Sequence, residues 1–217
     1  MTDLVENFRG KEYWIVENSL YAEPSFRLRK AARLVNKVVG NRPAALLDVG
    51  CGPGALGGLL SRNIAYSGID IAIHKAAANL KEIDTVHEAI GFDGKMFDVV
   101  VAMGFFEYMG EYQNRKFEEI SKILKNDGKF LMSYINFGHI RRRVWPNYNN
   151  VRSISDMSQS LTKMFYVEQC FPASHHWRQK QPGKRSLRRL QMLVNFNIPV
   201  FSPLFAVEYF FVCSKRS

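Results

Sequence analysis

The stretch LLDVGCGPGALGGLL, Leu46 to Leu60, places five glycines and one proline between two apolar flanks. Glycine gives up more backbone entropy on folding than any other residue, so this density implies a tight bend that something approaches closely. The run AALLDVG over 44–50 reads as a buried strand and ALGGLLSRN over 55–63 as the helix after it. The glycines therefore sit in a strand-to-helix turn.

Working outward, short apolar runs alternate with helix-like stretches. YSGIDIA (66–72) reads as a second strand ending at Asp70, and TVHEAI (85–90) as a third. FDVVVAM (97–103) is apolar after Asp98 and reads as a fourth strand covered on both faces. The amphipathic spacing of QNRKFEEISKILKN (113–126) predicts a helix, and Asp127-Gly128 a turn into a fifth strand, KFLMSYIN (129–136). Upstream, PSFRLRKAARLVNKVV (24–39) predicts a helix stopped by Gly40 and Pro43. Downstream, SISDMSQSLTKMF (153–165) reads as a capped helix, FYVEQCF (165–171) as a strand, KRSLRRLQMLVNF (184–196) as a basic amphipathic helix and FAVEYFFVC (205–213) as a last strand. The sum is an α/β fold: a doubly wound, Rossmann-like sheet of seven mostly parallel strands with helices on both faces. Its ligands belong outside the carboxyl ends of the strands.

A length of 217 residues suits one domain: an N-terminal helical lid over 1–43, a ligand-binding core over 44–136 and a basic C-terminal half over 137–217. The three cysteines, Cys51, Cys170 and Cys213, form no CxxC pair, which fits a reduced, cytoplasmic setting. The N-terminus has no apolar core of signal-peptide length, and FAVEYFFVC is interrupted by Glu208, so neither is read as entering a bilayer. Charge is uneven. Residues 1–140 carry 17 basic and 17 acidic side chains, whereas 141–217 carry 13 basic and 3 acidic, which is the whole net +10. Such asymmetry points to an anionic partner, or to a solvated basic face with none.

Two ligand classes fit the glycine turn. GPGALG (52–57) satisfies the G-x-G-x-x-G pattern of dinucleotide-binding turns, which would make the chain an oxidoreductase. Asp48, two places before Gly50, is awkward beside a pyrophosphate and apt beside a cationic ligand carrying an amino group and a sulfonium. Asp70 follows Asp48 by 22 residues, at the end of a strand, where its carboxylate is placed to take both hydroxyls of a ribose.

The sequence LLDVGCGPG followed by SGIDIA, FDVVVAMGFFEYM and ILKNDGKFLMSYIN resembles the class I S-adenosylmethionine-dependent methyltransferases over about residues 44–136. The resemblance implies S-adenosylmethionine as cofactor. Asp48, Gly50, Cys51, Gly52 and Gly54 would line its methionine end, and Asp70 with Ile71 its ribose. Glu88 and Ala89 would lie beside its adenine, and Met103 would follow the fourth strand next to it. The family often carries an Asp after the third strand for the adenine amino group. Here the segment reads HEAIGF, with only Glu88 nearby, so a backbone contact from Ala89 or Ile90 is the expected substitute. SYINFGHIRRRV and NVRSISDMSQSL are also similar to the MetW branch of methyltransferase-like proteins, which keeps open a cofactor-binding regulatory protein acting through a partner.

Methyl transfer from a sulfonium is an in-line displacement that needs positioning, and a base only where the acceptor loses a proton. AMGFFEY replaces the Asn/Asp-Pro-Pro-aromatic motif of relatives that methylate amino groups of bases or glutamine, and Cys51 in the glycine turn is misplaced for cytosine carbon methylation. Met103 and Asn136 stand where metal-dependent relatives want carboxylates, so no metal is expected. A small-molecule, glycan or lipid-linked acceptor remains, methylated at oxygen or nitrogen. His139 and Tyr108 are the candidate catalytic residues; Glu107, Tyr13, Trp14 and Tyr21 are the candidate substrate contacts. His175-His176 lacks metal-ligand spacing. IRRRVW (140–145), KRSLRRLQML (184–193) and NFNIPVFSPLFA (195–206) suggest a basic apolar face for a phosphate-bearing ligand or an anionic membrane surface. Nucleic acid is the less favoured partner, since no recognised RNA motif accompanies the charge.

Overall fold

In the computed structural model the described residues are 26–73, 77–92, 94–138, 151–175 and 206–216. The first helix, α1 (Phe26–Val39), buries Ala31, Ala32, Val35 and Val39 along one stripe. It ends where Gly40 turns left-handed (φ 61°) and its N–H donates to Asn36 O at 2.9 Å.

Seven strands follow: β1 (Ala44–Val49), β2 (Ile64–Asp70), β3 (Leu80–Glu82), β4 (Phe97–Met103), β5 (Leu124–Ile135), β6 (Phe165–His175) and β7 (Ala206–Lys215). They form one sheet in the order β3-β2-β1-β4-β5-β7-β6, with β7 antiparallel to both neighbours. Alternate residues of the central strands divide between two apolar layers. Leu46, Val99, Val101 and Leu131 face α1. Leu47, Val100, Ala102 and Phe130 face the opposite layer, which holds Phe117 and Ile120 of α2 (Gln113–Ile123) and Met157 and Leu161 of α3 (Ile154–Leu161). Both faces being covered explains the unbroken apolar run of β4. Helix α3 starts on a capping box: Ser153 Oγ accepts from Asp156 N–H at 3.0 Å, and Ser153 N–H donates to Asp156 Oδ2 at 3.3 Å.

Three local expectations are corrected. The segment 55–63 forms only a 3-10 turn, Gly57–Leu59, and no α-helix. Two consecutive glycines weaken a helix, and Gly57 lies so close to Tyr66 that a Cβ there would stand 2.9 Å from its ring. The third strand is Leu80–Glu82, not 85–90. Asp84 Oδ1 accepts from Val86 N–H at 3.1 Å and Oδ2 lies 3.0 Å from His87 Nδ1, so a side-chain-nucleated turn displaces the strand. Finally, β5 starts directly at Leu124, and Asp127-Gly128 lies in a pairing irregularity between Phe97↔Leu124 and Val99↔Lys129.

Candidate active site

The glycine bend leaves β1 at the carboxyl edge of the sheet. Gly50 N–H and Cys51 N–H both donate to Ile69 O (2.9 and 3.0 Å), binding the bend to the end of β2. Gly50, Gly52 and Gly54 all have positive φ (76°, 52° and 75°). At Gly50 a side chain is excluded by space as well as by backbone angle, since a Cβ would lie 2.9 Å from the Phe105 ring.

Asp70 closes this arrangement. Its Oδ2 accepts from Gly52 N–H and its Oδ1 from Ile71 N–H, each at 2.7 Å, so one carboxylate ties the bend to the turn after β2. These are short, charge-assisted bonds. The carboxylate is thereby fixed at the carboxyl end of β2, beside the bend.

Asp48 lies beneath the bend, 2 % exposed, and its Oδ2 accepts from the Tyr66 hydroxyl at 2.9 Å. Burial pushes its carboxyl up to about 7 against the opposing effect of that hydrogen bond. Cys51 is buried, with its thiol raised by burial and by the neighbouring Asp48 and Asp70, which makes it unreactive.

The loop after β3 lies beside Asp70, whose carbonyl accepts from Ile83 N–H at 2.8 Å. Helix α2 holds this loop from below. Lys116 is 0 % exposed and donates to Glu88 O and to Glu119 Oε2, both at 2.7 Å, while Glu119 Oε2 accepts from Ile90 N–H at 3.2 Å. The clamp occupies Ile90 N–H and leaves Glu88 and Ala89 as exposed loop residues. Sequence reasoning missed Lys116 and Glu119; the signal was a lysine beside Phe117, on the buried side of an amphipathic helix.

On the other side of the bend, Met103 ends β4 and Gly104 follows with φ 70°, its N–H donating to Ser133 Oγ at 3.0 Å. Glu107 sits on the next turn, 2 % exposed, with Oε1 accepting from Ile135 N–H at 3.0 Å. Tyr108 beside it is half-buried against the core. Arg27 of α1 reaches this edge: its Nε lies 2.7 Å from Glu208 Oε1, and its Nη1 fills the space over Gly104. Lys30, one turn along α1, is buried, donates to Ala173 O at 3.3 Å and lies 5.2 Å from the Phe171 ring centre. Arg27, Lys30 and Glu208 were also missed as site residues, although Glu208 betrayed itself by interrupting the last apolar strand.

Tyr13, Trp14, Tyr21 and His139 lie outside the described residues, as do His176, the basic segments 140–145 and 184–193, and most of 195–206. Among the described residues, no helix is long and apolar enough to cross a membrane.

Residues 47–132 match the family model described as a methyltransferase domain. The match spans the glycine bend, Asp70, the loop after β3 and the turn carrying Glu107, about two fifths of the chain. No curated protein matches the chain in sequence. Among solved structures it is similar to a TehB-like S-adenosylmethionine-dependent methyltransferase from Corynebacterium glutamicum (TM-score 0.64, 19 % identity, covering 98 % of each chain). It is also similar to the 1,6-didemethyltoxoflavin-N1-methyltransferase of Burkholderia thailandensis, solved with its acceptor and S-adenosylhomocysteine (TM-score 0.64, 14 % identity, 99 % of this chain and 88 % of that one). A third is the CcbJ methyltransferase of Streptomyces caelestis (TM-score 0.65, 11 % identity, 90 % and 92 %). The shared sheet, with β7 antiparallel between β5 and β6, is the fold these proteins have in common.

Proposed function

We propose that this protein transfers the methyl group of S-adenosylmethionine to an oxygen or nitrogen of a small-molecule, glycan or lipid-linked acceptor by in-line displacement. The observation that carries the reading is the lacing of the glycine bend to Asp70. It sets a bend of left-handed glycines next to a carboxylate fixed at the end of β2, which fits a nucleoside whose polar tail lies along the bend. In this reading Gly50, Cys51, Gly52 and Gly54 flank the methionine part, Asp48 supports them from below, and Asp70 and Ile71 hold the ribose. Glu88 and Ala89 border the base, and Met103 borders the methyl group. The bound donor supplies an electrophilic methyl on a sulfonium sulfur.

The acceptor belongs on the Gly104 side, where Glu107 and Tyr108 are the described candidates for contact. Buried ionisable groups gathered at that edge support chemistry over a purely regulatory binding role. The Burkholderia thailandensis enzyme, which acts on a nitrogen of 1,6-didemethyltoxoflavin, supports a small acceptor. Incubation of the protein with methyl-labelled S-adenosylmethionine and a small-metabolite extract tests the proposal. Label should move into a low-molecular-weight product; retention of all label in the donor, with S-adenosylhomocysteine binding intact, would leave the regulatory reading standing.

A further inference from the structure

Four ionisable side chains gather where β4, β5 and β7 reach the ligand-bearing edge. Arg27 and Glu208 form an ion pair at 2.7 Å, and Lys30 is held by Ala173 O and the Phe171 ring. Glu107 is held through one oxygen and has no ion pair within the cluster. Its Oε1 accepts from Ile135 N–H, but its Oε2 is buried and, among the described residues, has no hydrogen-bond partner. A buried carboxyl oxygen left unpaired costs about 1–3 kcal/mol, so a fold that keeps one has a use for it or a partner to come.

We propose, resting on the methyltransferase reading above, that Glu107 Oε2 receives the proton of a neutral O–H or N–H acceptor. In the step, the acceptor oxygen or nitrogen bonds to the methyl carbon and the carbon–sulfur bond breaks, its electron pair staying on sulfur. The acceptor proton passes to Glu107. The sulfonium charge and the carboxylate charge vanish together, which a water-poor site favours strongly over leaving either unbalanced. A carboxylate acceptor does not suit this edge: it brings no proton, and its charge would face both Glu107 and Glu208.

The surroundings suit the role. Burial pushes Glu107 up to about 7, Arg27 opposes the shift, Glu208 adds to it, and Ile135 N–H favours the charged form. The other titratable groups around the cluster are Lys30 on α1, Tyr108 on the same turn as Glu107, and Tyr134 on β5. A base poised near the working pH is partly ionised and still basic enough to take a proton.

Three readouts test the assignment with wild type and Glu107→Gln. In calorimetry with S-adenosylhomocysteine, the variant should bind within about twofold of wild type, showing an intact donor site. With methyl-labelled S-adenosylmethionine and a small-metabolite extract, label transfer should fall by roughly 100-fold or more in the variant, in line with the loss of a general base. Wild-type transfer should rise with pH to a plateau above about 7, and the labelled product should survive alkali. In carboxyl-carbon NMR of the S-adenosylhomocysteine complex, one glutamate should titrate near 7 and be missing from the variant. Unchanged transfer by Glu107→Gln, alkali-released label (a methyl ester), or ordinary titration of every glutamate overturns the assignment. Glu107→Ala, checked by the same donor titration, guards against a glutamine-specific effect. A wild-type protein that binds S-adenosylhomocysteine and labels nothing defeats the methyltransferase reading itself, and the assignment with it.

Discussion

Replacing Asp70 by Asn isolates the contact on which the donor site depends. The wild-type carboxylate accepts from Gly52 N–H and Ile71 N–H through different oxygens, each at 2.7 Å. An Asn amide has one oxygen and one NH2 group, so in either orientation one of those backbone donors faces another donor. One charge-assisted bond is lost outright and the other becomes neutral, a loss of about 1.5–3 kcal/mol. The bend must be restored whenever ligand binds, so this energy appears as weakened affinity. At about 1.4 kcal/mol per decade it amounts to roughly 10- to 100-fold in Kd for S-adenosylhomocysteine by calorimetry. Asp98→Asn is the control. Asp98 is also buried and accepts from Ala45 N–H and Lys125 at 2.8 and 2.9 Å, but it lies at the opposite end of the sheet. It should lower Tm and leave the Kd of the folded protein within about twofold. Equal affinity for Asp70→Asn and wild type, or an equal loss in Asp98→Asn, refutes the reasoning.

Gly104→Ala should destabilise by about 3 kcal/mol, since φ is 70° and the new Cβ would fall 2.0 Å from Arg27 Nη1, driving out the guanidinium and leaving Glu208 buried and unpaired. For a chain of this size thermal unfolding should show a Tm lower by roughly 6–12 °C. Lys116→Met should weaken S-adenosylhomocysteine binding about tenfold by calorimetry, because it frees the loop carrying Glu88 and Ile90; Lys116→Arg should recover part of the loss. Stability of the ligand-free protein should fall as pH rises towards 7. Burial raises Glu107 and Asp48 to about 7, so the folded state holds protons that the unfolded state has released, and Tm falls as pH rises from about 4.5 to 7. Burial lowers Lys30 to about 8, so the folded state sheds that proton first, a gain above pH 8 that the buried thiols of Cys51, Cys170 and Cys213, all raised by burial, oppose from about pH 9. Glu107→Gln should flatten the acid limb of the profile measured by calorimetric scanning.

What the sequence disclosed follows from the range of the forces involved. Strand β4 was legible because FDVVVAM is covered on both faces, and α1 because its apolar spacing and the stop at Gly40 are local. The glycine bend and Asp70 were legible because a turn and a strand end are short-range features at a telling separation. The third strand was misplaced because the alternation in TVHEAI is weaker than the turn that Asp84 builds with its own side chain. The helix expected after the bend failed where Gly57 packs on Tyr66, a contact between segments that local propensity does not register. The charged cluster was the least legible part. Lys30 meets Ala173 across 143 residues, and Arg27 meets Glu208 across a still longer separation, so only the folded chain shows that these groups share one edge.

The central claim is that the bend over Gly50–Gly54, fixed to Asp70, holds a sulfur-bearing adenosine and not a dinucleotide. Parallel titrations of the purified protein with S-adenosylhomocysteine and with NAD test it most directly. The account predicts saturable, one-to-one binding of S-adenosylhomocysteine and no measurable heat with NAD; binding of NAD alone, or of neither, would contradict it.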